Sequence, residues 1–150
     1  MHRIAMRGRG ALVLVAVLVI LAGCSGPIFR MKVMNEGDYS LTSVRLIPYF
    51  EDAEEQAQAF ADTENLLPRD AEEHTIAVKT GKEVLLPHFL EGGIYYAEVT
   101  YYIDNVYVDQ VWESLVDLSE IEKEALVSMS VRCETSGVAT EPTFTFFFEY

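Results

Sequence analysis

Few of these 150 residues have the types and spacing that catalysis requires. The histidines are His2, His74 and His88, and none stands at metal-ligand spacing from another histidine or a cysteine. His88, in Leu86-Pro87-His88-Phe89, reads as a turn residue. There is no Gly-x-Ser-x-Gly, no glycine loop to cradle a phosphate and no dinucleotide fingerprint. Residues 51–73 are rich in carboxylates, with Arg69 as their one base, but they lack the alternating Asp ladder of a calcium loop and read as a self-repelling, solvated segment. No catalytic residue, metal site or cofactor is therefore expected.

Two constellations stand above this background. Tyr96, Tyr102 and Tyr107 interleave with Glu98, Asp109 and Glu113. Flat aromatic area beside fixed acceptors suits a glycan or a cationic protein surface, and the same residues also make ordinary cross-strand pairs on a wet sheet face. The second is Phe144, Phe146, Phe148 and Tyr150, either a last strand closing the core or an apolar patch for a partner.

Covalent chemistry is written more clearly at the other end. Arg3, Arg7 and Arg9 are followed by twelve residues without a polar side chain, Ala11 through Ala22. A cationic stretch before a short apolar run has the anatomy of a secretory signal. A bilayer core of about 30 Å needs roughly 20 apolar residues in a helix, so the run is short for a permanent span. Directly after it comes Leu21-Ala22-Gly23-Cys24, which resembles the lipobox of bacterial lipoproteins. The resemblance covers four residues and is made specific by their position behind the apolar run. It implies that Cys24 receives a diacylglycerol on its thiol, that the leader is cut before it, and that the new amine is often acylated as well. It further implies that Ser25, where an Asp would favour retention at the inner membrane of a diderm, is compatible with transfer to the outer one. The other reading is an ordinary signal cut near Gly23, with Cys24 a plain thiol.

The remainder, residues 24–150, carries 24 acids against 8 bases, a net charge of −16. Such a surface repels phosphate backbones, so nucleic acid is not an expected partner. If Cys24 is a thioether, Cys133 has no disulfide partner in the chain. It alternates with Val127, Met129 and Val131 against Ser128, Ser130 and Arg132, the position of a small core hydrophobe. A chain of this length can fold on its hydrophobic core alone.

That core is expected between strands, because apolar residues recur with period two between turn signals. Strands are predicted within 29–33, 41–50, 76–78, 83–86, 94–103, 106–116, 126–133 and 143–150. Asp104-Asn105 forms a two-residue loop that sets the register of its hairpin: Ile103 opposite Val106, Tyr101 opposite Val108, Val99 opposite Gln110, Ala97 opposite Trp112. The other face then holds Tyr102 opposite Tyr107, Thr100 opposite Asp109, Glu98 opposite Val111 and Tyr96 opposite Glu113. A slip of one residue would bury the acids. Helix is expected within 51–62, where Asp52 and Glu55 resemble a capping box, and in one turn within 119–125, where Ser119 and Glu122 do. Leu66 and Leu67 should pin the acidic loop to the sheet.

The expected organisation is a leader over 1–23, a lipidated cysteine and short tether over 24–27, and one all-β domain over 28–150. The domain is expected to be an antiparallel, immunoglobulin-like β-sandwich of about 7 or 8 strands with one acidic loop or short helix. The lipobox resemblance implies a cell-envelope protein held to the bilayer through acylated Cys24: at the outer membrane of a diderm, on its periplasmic or surface side, or on the outer face of a monoderm's cell membrane. A non-catalytic binding or structural module with a protein or glycan partner is the expected function. The alternatives are an envelope enzyme acting on a wall or peptide substrate, and an accessory subunit of an envelope assembly complex.

Overall fold

A computed structural model describes residues 27–111, 114–132 and 143–149. The leader, Cys24, Trp112, Glu113, Cys133 and Tyr150 lie outside the described residues. The strands are β1 (Ile28–Asn35), β2 (Ser40–Pro48), β3 (Lys82–Leu85), β4 (Leu90–Glu91), β5 (Ile94–Ile103), β6 (Val106–Val111), β7 (Val116–Asp117), β8 (Leu126–Arg132) and β9 (Thr143–Glu149), with one helix, α1 (Ala53–Asp62), between β2 and β3.

They form two sheets. In the first, β3 and β4 share one side of β1, β8 lies on its other side, and β9 pairs with β8; in the second, β2, β5 and β6 lie in that order and β7 adds to the start of β5. All pairs are antiparallel except β1 with β8, which run parallel from Arg30 opposite Leu126 to Asn35 opposite Val131. Period-two patterning reports which face a strand buries and not the direction of its neighbour, so this pair left no mark in the sequence.

The inward faces follow the alternation. Phe29, Met31 and Val33 of β1 and Val127, Met129 and Val131 of β8 meet Leu41, Val44 and Leu46 of β2 and Ala97, Val99 and Tyr101 of β5 in one buried cluster. Phe144, Phe146 and Phe148 occupy the register positions opposite Val131, Met129 and Val127. Leu67 is buried in the same core and Leu66 packs at its margin. Asn65 holds them there: its Oδ1 accepts from the N–H groups of Val44 (3.0 Å) and Leu67 (3.1 Å), and its Nδ2 donates to the Thr42 carbonyl (3.1 Å). The loop thereby covers the outer edge of β2 beside its bulge between Leu41 and Ser43.

The strand prediction needs three corrections. Residues 76–78 form no strand; Val78 makes only an isolated bridge to Leu41. Of the run 106–116, Val106–Val111 form β6 and Val116 begins β7, with Ser114 and Leu115 outside any strand, and the short β4 was not foreseen. The helical turn expected within 119–125 does not form. Asp117 Oδ1 accepts from both the hydroxyl (2.5 Å) and the N–H (3.0 Å) of Ser119, a local turn that orients Ser119 toward the preceding residues. Burial of Leu118 and Ile121 fixes the segment in the core, and Glu124 at φ 65° turns the chain into β8. Helix α1 does form, with Asp52 Oδ1 accepting from the N–H groups of Glu54 and Glu55.

The Ser119 hydroxyl, and secondarily its N–H, hold the Asp117 carboxyl below the usual carboxylate range. A carboxyl whose folded value lies below its unfolded one stabilises fully above the unfolded value and loses that contribution as pH falls through the folded value. Ser119→Ala should move the Asp117 titration upward toward the ordinary range, as followed by NMR of its side-chain carboxyl; an unmoved titration contradicts this origin of the shift.

Candidate functional site

The hairpin of β5 and β6 takes the expected register: Ile103 faces Val106, Tyr102 faces Tyr107, Tyr101 faces Val108, Thr100 faces Asp109, Val99 faces Gln110 and Glu98 faces Val111. The two turn residues sit in the left-handed region, Asp104 at φ 47° and Asn105 at φ 65°, as a tight turn joining twisted strands requires. Tyr101, Val99 and Ala97 point into the core. The opposite face divides into two unlike halves.

The half near the turn is open. The Tyr102 and Tyr107 rings meet at 5.0 Å between centroids, inclined by 49°, and Tyr107 is 68% exposed. Tyr102 donates its hydroxyl to Asn105 Oδ1 at 3.1 Å, tying the ring to the turn. Behind the pair, the Thr100 hydroxyl donates to Asp109 Oδ1 at 2.7 Å, which orients that exposed carboxylate. Val106 and Val108 of β6, opposite Ile103 and Tyr101 on the other face of the hairpin, are exposed as well. Tyr102, Tyr107 and Asp109 thus form one surface of flat rings beside a fixed acceptor.

The other half is covered. Helix α1 lies across it: the Phe60 ring sits 5.6 Å from Tyr96, and Tyr49 meets Tyr96 edge-on at 6.0 Å. Glu98 is only 8% exposed. Its Oε1 accepts from Nε (2.7 Å) and Nη2 (2.5 Å) of Arg45, the residue facing it on β2. Arg45 Nη1 donates to the Phe60 (2.8 Å) and Thr63 (3.1 Å) carbonyls, so one guanidinium joins β2, β5 and the end of the helix. Glu98 is a structural anchor of the helix and not an open acceptor, and Tyr96 is half-buried beneath it. Their expected company with Tyr102, Tyr107 and Asp109 is therefore broken by α1, and Glu113 lies outside the described residues. Sequence reasoning missed Arg45 because its role depends on β2 lying beside β5. The available signal was a single base in an otherwise apolar alternating run.

Charge-assisted hydrogen bonds contribute roughly 1.5–3 kcal/mol each, and a carboxylate left without its partner is costly. Arg45→Met should therefore destabilise the domain by about 2 kcal/mol in denaturant melts and loosen α1. Arg45→Met with Glu98→Leu should recover part of that loss. A double variant no more stable than the single one would contradict the pairing argument.

Beside α1 lies a shallow groove of about 480 Å³, floored by Pro48, Phe50 and Ala59 and edged by Glu55 and Asp62. It is set by the helix standing off the end of β2, where Gln56 bridges to the Phe50 N–H and the Pro48 carbonyl. Among the described residues, no group of three or more His, Cys, Asp or Glu side chains is arranged to hold a metal ion, and no helix is long and apolar enough to cross a membrane. His88 is exposed, and His74 lies 3.8 Å from Asp70 and 3.7 Å from Glu72 on the loop surface. Compared with known proteins, the chain matches no family model, no curated protein and no solved structure.

Proposed function

We propose that this chain is a bacterial envelope lipoprotein, anchored through diacylglycerol on Cys24, whose immunoglobulin-like sandwich serves as a non-catalytic recognition module. The observation that carries the reading is the succession of Arg3, Arg7 and Arg9, the apolar run and Leu21-Ala22-Gly23-Cys24, only four residues before β1 begins at Ile28. Two sheets facing each other over one core, with a tight hairpin in the second, support the immunoglobulin-like likeness.

The open aromatic patch supports recognition of a protein or glycan. Tyr102 and Tyr107 are rigid and amphipathic, and such rings dominate the binding energy of interfaces where they are fully covered. Asp109 supplies an acceptor for a sugar hydroxyl or a cationic side chain. Strand β5 carries Tyr102 about 26 Å from its own beginning at Ile94, at a rise near 3.3 Å per residue. The patch thus stands at the end of the domain opposite the chain's entry.

Crosslinking in intact envelopes, followed by identification of the captured molecule, tests the reading. With that partner, Tyr107→Ala should lower affinity by about thirtyfold, corresponding to loss of one anchor of about 2 kcal/mol, while leaving the melting temperature unchanged. Unchanged affinity in a Tyr102→Ala, Tyr107→Ala double variant contradicts recognition by this face.

A further inference from the structure

Six of the twelve exposed large apolar side chains among the described residues, Tyr49, Phe50, Phe89, Ile94, Leu115 and Leu126, gather at the end where the chain enters the sandwich. The pairing puts them there. Ile28 faces Glu91 next to Phe89, and the Gly92 N–H donates to the Pro27 carbonyl at 2.6 Å. The Tyr49 N–H donates to the Ile94 carbonyl at 2.9 Å, Ile94 faces Asp117 close to Leu115, and Leu126 faces Arg30. The Arg30 guanidinium lies 5.7 Å from the centre of the Phe89 ring. Phe89, directly after the bend at Pro87 and His88, is 55% exposed.

We propose that this end of the domain rests in the headgroup layer of the bilayer, with those six side chains as its contact surface. The inference rests on the anchor reading above. A lipid on Cys24 is four residues from Ile28, and four extended residues span at most about 14 Å. The tether is therefore too short to let the entry end stand clear of the membrane, and any apolar group on that end meets lipid at high effective concentration. Aromatic rings with a polar edge, such as Tyr49, and a cation stacked on an aromatic, as Arg30 on Phe89, suit the boundary between headgroups and acyl chains. The exposed acids at this end, Glu51, Asp52, Glu91, Asp117, Glu120, Glu122 and Glu124, outnumber the cations Arg30 and Lys123. The fitting surface is consequently zwitterionic, and anionic lipid repels it. In this pose the Tyr102 and Tyr107 patch faces outward from the membrane.

The test uses the full lipidated protein purified from membranes, placed in phosphatidylcholine nanodiscs carrying lipid with a nitroxide near the top of the acyl chain. Amide signals of Phe89, Ile94, Leu115 and Leu126 should lose intensity severalfold relative to those of Tyr102, Tyr107 and Val108. Adding phosphatidylglycerol at low salt should weaken the difference, and salt should restore it. Phe89→Ser with Ile94→Ser and Leu115→Ser should reduce the difference severalfold while Cys24 keeps its lipid, leaving only what the tether by itself sustains. Equal broadening at both ends of a chain whose mass shows lipid on Cys24 overturns this inference alone, including the case in which a protein and not lipid covers the patch. A mass without lipid on Cys24 overturns the anchor reading, and this inference with it.

Discussion

Asn35→Ala is expected to cost the domain about 3 kcal/mol, on the scale of about 1 kcal/mol for each of three buried hydrogen bonds. Asn35 is fully buried where the chain leaves β1 for β2, crossing from one sheet to the other. Its Nδ2 donates to the carbonyls of Tyr39 (2.7 Å) and Val78 (2.8 Å), its Oδ1 accepts from the Gly37 N–H (3.1 Å), and its own carbonyl accepts from the Gly81 N–H (2.7 Å). The side-chain amide thus joins the loop at residues 37–39 to Val78, 43 residues away, while the backbone carbonyl holds Gly81. Removing it leaves buried backbone groups without that partner, a loss that should lower the melting temperature by about 10 °C. Asn35→Asp is the sharper variant. It has the same shape but sets oxygens against two carbonyl oxygens and buries a charge, so it should be at least as damaging as alanine at neutral pH. In acid a protonated carboxyl can donate one of the two bonds, so its deficit should shrink as pH falls. Scanning calorimetry across pH decides the matter, and an Asp variant as stable as the native chain would contradict the bonding scheme.

The second large effect concerns Cys24→Ala, which should abolish lipidation and leave an unprocessed precursor or a soluble species in place of the membrane-bound form. One acyl chain gives only marginal, reversible membrane attachment, with an association constant near 10⁴ per molar, and each further buried methylene adds about 0.8 kcal/mol. Two or three chains on one cysteine therefore separate full retention from none. Fractionation after carbonate washing reads this directly. A Cys24→Ala protein that stays membrane-bound after its leader has been removed would point to an anchor elsewhere in the chain.

What the sequence disclosed and what it withheld have a common physical basis. Asp104-Asn105 determines a register because a two-residue loop allows few backbone geometries, and every described pair of that hairpin followed from it. Helix α1 was legible through Asp52 and the alanine-rich stretch, both local signals. The parallel neighbour of β1, the position of β2 beside β5 and the way α1 folds back over Tyr96 are long-range choices, made by packing between residues far apart in the chain. For that reason the outer face of β5 read as one continuous acidic and aromatic surface, whereas Arg45 claims Glu98 and the helix shelters Tyr96. Ser119 shows a competing local signal: the capping pattern is present, but Asp117 two residues earlier closes a turn on the Ser119 N–H and hydroxyl, and the chain goes on without a helix.

The chemistry at Cys24 gives the most direct test of the whole account. Intact-mass and N-terminal peptide analysis of the protein taken from its native membrane should find a chain beginning at Cys24 with a diacylglycerol in thioether linkage on its sulfur. A Cys24 recovered as a free thiol, or a processed chain beginning at another residue, would contradict it.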